Sequence, residues 1–264
     1  MPHIPTLYPH HIDVEPFTEY RDYPVHLERL RWLIKTIDEM RGAGHVRILD
    51  VGCGTGNITL PLGLIPNATV VGIDMYQPNI DECNRKNTYP NVTVTFARLN
   101  EYPIEDFDVI IFTEVLEHIP GYETLLSDLS KRMKPGAQVL VTIPNGWGPF
   151  EWAMTPMYIM RRMGLNGFIG KVKKLLGKKE PYALNQEIDP HVNFFTRKQI
   201  QMDCETYHFE MIEFRKSFVL APIFETYLPF ISLRKLAFYD NKLAQVLPTF
   251  LASGWYYRIQ KVTK

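Results

Sequence analysis

Cysteine is scarce in this 264-residue chain: Cys53, Cys83 and Cys204 are its three, far apart and without a C-x-x-C pair. That spacing argues against a disulfide framework or a thiolate zinc site, and reduced thiols point to a cytoplasmic protein. No His, Cys and Asp group has metal-ligand spacing either, so no metal is expected. No apolar run is long enough to span a membrane. The nearest, "FVLAPIFETYLPFI" (218–231), is broken by Pro222, Glu225 and Pro229. The opening "MPHIPTLYPHHIDVEP" lacks the basic region and apolar core of a signal peptide. Net charge is missing too, because 29 Lys+Arg balance 29 Asp+Glu. The balance is uneven along the chain. Residues 1–150 hold 12 basic and 19 acidic residues, a net −7, and the remainder carries +7. An asymmetry of that kind is either a solvated dipole or a surface that meets something anionic.

What is present is an alternation of short apolar strands and helices. "PVHLERLRWLIKTIDEMR" (24–41) repeats Leu27, Leu30, Leu33, Ile34, Ile37 and Met40 at helical spacing, and Gly42 follows. Strands are expected at 46–51, 68–74, 92–97, 107–113 and 137–145, with helices at 57–65, 78–87 and 122–133. That order predicts a parallel sheet covered on both faces, with any ligand along the edge where the strands end. Thr196 is placed to cap a further helix. "FEMIEFRKSF" (209–218) and "GWYYRIQKV" (254–262) supply two final strands around an apolar, helical stretch at 219–253. The organisation read from this pattern is an N-terminal arm and helix (1–45), a core (46–145), a lid or insertion (146–195) and the rest of the core (196–264).

The first strand runs into "DVGCGTGN", with glycines at 52, 54 and 56 directly before a helix. Glycines let a ligand approach the backbone, and a helix start offers free N–H groups. The spacing is not the G-x-G-x-x-G of dinucleotide sites, which counts against a nicotinamide-dependent reductase. Asp50, two residues before the first glycine, suits a positively charged ligand group such as an amino-acid ammonium. Asp74, at the end of the next strand, can accept both hydroxyls of a ribose.

These stretches resemble the class I S-adenosylmethionine-dependent methyltransferases. "LDVGCGTG" is similar to that family's first motif and "VVGID" to its second. "FDVIIFTEVLEHI" (107–119) is similar to the fourth, and "LSKRMKPGAQVLVTIPN" (129–145) to the approach to the fifth strand. The "EVLEHI" wording resembles the small-molecule branch that includes the ubiquinone and menaquinone methyltransferases. The resemblance implies a Rossmann-like, seven-stranded, mostly parallel sheet with the last strand antiparallel, and S-adenosylmethionine as cofactor. Carried across, Gly52, Gly54 and Gly56 line the methionine part of the cofactor with Asp50 nearby. Asp74 holds the ribose, Met75 lies against the adenine, and Thr113 and Glu114 face the reaction centre. Arg98 stands where the family often has an Asp for the adenine amino group. An Arg has no acceptor for an amine, so Leu99 backbone or Asn100 is the substitute. The expected reaction is methyl transfer to a small-molecule or lipid- or glycan-linked acceptor, a hydroxyl first and an amine second. A non-catalytic binding protein is the rival reading.

A hydroxyl must lose its proton, so a base is sought. His118, just past the fourth strand, and His191, in "DPHVNFF", are the candidates, with Glu114 as a third. His10 and His11 in the N-terminal arm could close over the pocket, although chain ends are usually loose. Residues 152–179 carry seven basic and no acidic residues among Trp, Met and Phe. That pattern reads as a lid with an apolar underside or as a peripheral contact with an anionic membrane surface. Nucleic acid is not expected, because the patch is short and no nucleic-acid fold signature accompanies it.

Overall fold

The computed structural model describes residues 24–163, 191–227 and 234–262. His10, His11, much of the basic 152–179 stretch and most of the 146–195 insertion lie outside them. Seven strands form one sheet: β1 (Val46–Val51), β2 (Ala68–Asp74), β3 (Val92–Phe96), β4 (Val109–Thr113), β5 (Gln138–Pro144), β6 (Phe209–Lys216) and β7 (Gly254–Lys261). Their spatial order is β3-β2-β1-β4-β5-β7-β6. The first five are mutually parallel, and β7 runs antiparallel to both its neighbours. The order reverses between β1 and β4, which opens a crevice beyond their carboxyl ends.

The central strands are apolar at nearly every position because both faces are covered. Side chains alternate across the sheet. Ile48, Val109 and Ile111 join one core with Leu30, Leu33 and Ile37 of α1 (Pro24–Arg41). Leu49, Ile110 and Phe112 join the other core with Leu126 and Leu129. Those two leucines belong to α4 (Tyr122–Arg132), which follows α2 (Thr59–Leu62) and α3 (Gln77–Lys86).

The helix expected over 57–65 is regular only over the four residues of α2. Pro61 lacks a donor and Gly63 follows it, so the remainder is a series of turns such as Gly63 N–H to Leu60 O. Downstream lie α5 (Pro149–Arg162), α6 (Arg197–Thr206), α7 (Ala221–Tyr227) and α8 (Arg234–Val246). The Thr196 hydroxyl accepts the Gln199 N–H at 3.1 Å, which caps α6 as its sequence requires. In the 219–253 stretch, buried Asp240 of α8 accepts the N–H groups of Val219 and Ala221, both at 2.9 Å. That carboxylate fixes the start of α7. Val25 of α1 packs with Phe218, Ala221 and Ala237, so α1 covers this region as well as the sheet. Among the described residues no helix is long and apolar enough to cross a membrane.

Candidate active site

Two clusters meet along the carboxyl ends of the parallel strands. The first surrounds the glycine turn. Gly52, Gly54 and Gly56 all have positive φ, at 72°, 54° and 86°, where a Cβ is disfavoured. Their surroundings separate their roles. A Cβ on Gly52 would press on Val115, and one on Gly56 would overlap Cys83 Sγ and Leu60. At Gly54 a Cβ would meet nothing within 4 Å. Gly52 and Gly56 therefore serve packing, and Gly54 presents open backbone. Asp74 Oδ2 accepts the Gly54 N–H at 2.9 Å, and Oδ1 accepts the Tyr76 N–H at 2.8 Å. Each oxygen keeps a further lone pair. Met75 follows with its side chain 59 % exposed.

Asp50 lies below the turn, 2 % exposed, and accepts the Thr59 hydroxyl at 2.6 Å. Burial, with a smaller push from the Asp74 charge, raises its pKa to about 7. Arg98 extends to Met75, with Nη1 3.8 Å from Sδ. Its guanidinium thus adjoins the residue carried across to the adenine face. Leu99 and Asn100 form a 3₁₀ turn with Glu101. Arg132 of α4 pins that turn by donating to the carbonyls of Leu99 (3.3 Å), Asn100 (3.5 Å) and Tyr102.

The second cluster lies beyond β4 and β5. Glu114 sits at φ 54°, uncommon for a non-glycine residue. Its Oε1 accepts from Thr142 Oγ1 at 2.9 Å and pairs with Arg29 Nη2 at 3.1 Å. It is held toward α1 rather than left free as a base. Thr113 Oγ1 is buried without a hydrogen-bond partner. Glu117, in the 3₁₀ turn Leu116–His118, is 1 % exposed and neither carboxylate oxygen has a hydrogen-bond partner. Burial, reinforced by the Glu114 charge, pushes its pKa well up. His118 Nε2 is 3.9 Å from Glu117 Oε1.

His191, distant from that turn in sequence, is tied to it through the residues that follow. Val192 and Asn193 donate their N–H groups to Glu117 O at 2.8 and 3.1 Å. Asn193 Nδ2 donates to Leu116 O (2.8 Å) and Ile119 O (2.7 Å). The His118 and His191 rings meet edge to face at 5.0 Å. The structure thus brings His118, His191 and Glu114 to one region, next to Thr113.

Sequence spacing missed a donor group assembled from two distant segments. Ligand-type atoms of Glu117, His118 and His191 lie within 4.8 Å of one another. It also missed Arg29 and Glu151. Arg29 had a usable signal: it stands at i, with Leu33 and Ile37 at i+4 and i+8, so it occupies a core position of the helix. Glu151, 6 % exposed with Oε1 3.3 Å from His191 Nδ1, had none.

A family model described as a methyltransferase domain matches residues 18–213. The chain therefore belongs to the methyltransferase-domain family, and the resemblance read from its motifs is borne out. It is 33 % identical over 108 residues to the mitochondrial ubiquinone biosynthesis O-methyltransferase of Homo sapiens, covering 38 % of this chain and 29 % of that one. It is 30 % identical over 123 residues to the ubiquinone biosynthesis O-methyltransferase of Bartonella tribocorum, covering 44 % and 49 %. The chain thus spans half or less of these relatives. Its fold is similar to that of the magnesium protoporphyrin IX methyltransferase of Synechocystis PCC 6803 solved with bound SAH. That TM-score is 0.54 at 13 % identity, covering 90 % of this chain and 84 % of that one.

The residues present fit S-adenosylmethionine. The open backbone at Gly54 gives the ligand room. The spare lone pairs of Asp74 suit a ribose diol, and exposed Met75 offers an apolar face to a base.

Proposed function

We propose that this protein transfers a methyl group from S-adenosylmethionine to a hydroxyl of a small-molecule acceptor. What carries the reading is the adjacency of two strand ends: an open glycine turn with Asp74, and a cluster of half-buried histidines with buried carboxylates. The names of the ubiquinone-type relatives favour oxygen over nitrogen as the methylated atom. Asp74, Gly54 and Met75 hold the cofactor, with Gly52 and Gly56 shaping the turn and Asp50 beneath it. Thr113 and the Leu99–Asn100 turn complete the rim. When bound, the cofactor supplies an electrophilic methyl on a sulfonium.

The residues of the second cluster orient the acceptor and take its proton. The acceptor oxygen forms the new O–C bond as the C–S bond breaks. The electron pair goes to sulfur, and the hydroxyl proton goes to His191 or to His118 beside it. Because Glu114 is engaged by Arg29 and Thr142, it serves to set the geometry of the strand end.

A lipid-linked acceptor is the finer reading. Trp152 and Ile159 of α5 and Met163 just past its end are all exposed, and exposed Trp147 lies 6.3 Å from Phe194 ring to ring. That apolar face leads into the basic stretch at 161–179, which suits an anionic membrane surface or a glycan- or lipid-carried substrate. Failure to sediment with anionic vesicles at low salt would remove the surface contact.

A second reading, a protein that binds the cofactor without catalysis, draws on Arg98 at the adenine end. Incubation with S-adenosylmethionine bearing a deuterated methyl, against a panel of catechols, phenols and amines, separates them. Label in an ether product establishes O-methylation, and label in an amine shifts the atom. Tight binding of S-adenosylhomocysteine with no labelled product favours the second reading.

A further inference from the structure

We infer that Arg132 is a positioning residue for the cofactor's base: its guanidinium holds the Leu99–Asn100 turn so that the Asn100 N–H faces a ring nitrogen of the adenine. The inference rests on the S-adenosylmethionine reading of the site. The turn leaves β3 beside the ribose carboxylate. Phe96 is in register with Asp74, and the Ala97 N–H donates to Asp74 O at 3.1 Å. Arg98 extends to Met75, so the side chain at that edge brings donors and no acceptor for an amine. Leu99 O, the backbone acceptor expected there, is already taken by the Tyr102 N–H at 3.3 Å and by Arg132 Nη1 at 3.3 Å. What the turn has left to offer the base is a donor.

Arg132 fixes which way that donor points. The 3₁₀ turn Leu99–Glu101 has two backbone bonds of its own, Glu101 N–H to Arg98 O at 3.1 Å and Tyr102 N–H to Leu99 O at 3.3 Å. A turn this short is weakly held by itself. The carbonyls of Leu99, Asn100 and Tyr102 converge instead on one guanidinium. Its Nε donates to Glu105 Oε1 at 3.3 Å and its Nη1 to Asp128 Oδ2 at 2.8 Å, so two carboxylates aim the fork and balance its charge. A trans peptide sets its C=O and N–H on opposite sides. With Leu99 O turned to Arg132, the Asn100 N–H is turned away from it, and no described residue accepts it.

The support comes from a rigid part of the fold. Arg132 closes the last turn of α4, where Leu129 and Met133 are buried in the core. The far end of the turn is also held, with the Tyr102 ring 6.4 Å from that of buried Phe107. Asp74 and Gly54 brace one another directly, whereas the base-facing turn depends on a side chain from a helix more than one strand further along the chain.

The test is calorimetric titration of the full chain with S-adenosylhomocysteine and its 1-deaza, 3-deaza and 7-deaza analogues, each of which replaces one ring nitrogen by CH. In wild type, one of the three analogues is expected to bind about 10-fold more weakly than the parent, the loss of one hydrogen bond. In Arg132→Met, S-adenosylhomocysteine itself is expected to weaken by about 10-fold, and the deaza penalty to shrink below about 3-fold, because the two changes touch one contact. A merely structural role would weaken all four ligands in parallel and keep the penalty, and that result in a folded Arg132→Met protein overturns the inference. So does a wild type that binds every deaza analogue as tightly as the parent. Should Arg132→Met fail to fold, Arg132→Lys keeps the charge and the stem without the fork, and an undiminished penalty there overturns the inference equally. Asn100→Ala is expected to keep the penalty, because the donor is backbone; its loss would assign the contact to the side chain and overturn the inference. If wild type binds none of the four ligands, the S-adenosylmethionine reading falls and takes this inference with it.

Discussion

The two strand ends that meet at the site are built in opposite ways. On the β1–β2 side the proposed ligand surface comes from one glycine turn and the end of the next strand. Gly54 stands open, Asp74 is braced by two N–H donors, and Met75 projects outward. On the β4–β5 side the surface is side chains from four separate segments: Arg29 of α1, the 114–118 turn, Glu151 of α5 and His191. The first side is local in sequence and needs little outside help. The second is assembled from distant parts, and Glu114 and Glu117 share the neighbourhood of buried Arg29. A cofactor common to a whole family can be met by a local motif. An acceptor that differs from member to member is met by residues that long-range packing brings together.

That contrast can be broken from either side. The largest effect is expected at Arg29, because its removal leaves the half-buried Glu114 carboxylate without its ion-pair partner beside buried Glu117. Arg29→Ala is expected to lose about 3–5 kcal/mol of unfolding free energy. Urea denaturation checks it, and a loss under 1 kcal/mol would mean the cluster is already neutral.

Asp50 gives the next largest effect, and it depends on pH. Its pKa is raised from 3.8 in the free state to about 7 in the fold. The native state therefore holds the proton more tightly than the unfolded chain between those values. Stability falls as pH rises through that window and levels off above about 7. Asp50→Asn removes this dependence. Wild type is expected to lose on the order of 1 kcal/mol more than the variant for each pH unit between 4 and 7. Parallel curves in thermal or urea melts would contradict the burial account.

The smallest effect separates two glycines of one turn. Gly56→Ala must displace Cys83 or Leu60 and is expected to cost about 1–3 kcal/mol. Gly54→Ala meets no neighbour, so it pays chiefly the left-handed backbone cost of about 1–2 kcal/mol. Its additional loss should appear in S-adenosylhomocysteine affinity.

The same contrast decides how much the sequence reveals. The antiparallel last strand follows only from the family resemblance, whereas the alternation of strands and helices and the cap at Thr196 are local patterns that can be read residue by residue. So can the glycine turn and Asp74, which lie on consecutive strand ends. α2 is shorter than its apolar run suggests because Pro61 removes a donor within it. The second cluster is legible only in part. His118 and Glu114 sit in a recognisable stretch, but their partners do not. Glu151 and His191 are 40 positions apart, and nothing in either neighbourhood announces the other. Arg29 stands on the core face of a helix, a cue that was there to be used. The metal-donor grouping of Glu117, His118 and His191 crosses the same gap, so spacing arguments pass over it.

The most direct test of this division is calorimetric titration of S-adenosylhomocysteine into wild type, Asp74→Ala and His191→Gln. The account predicts wild-type affinity for His191→Gln and a loss on the order of 100-fold for Asp74→Ala, which forfeits charged hydrogen bonds to the ligand. Undiminished binding by Asp74→Ala, or an equal loss in both variants, would contradict it.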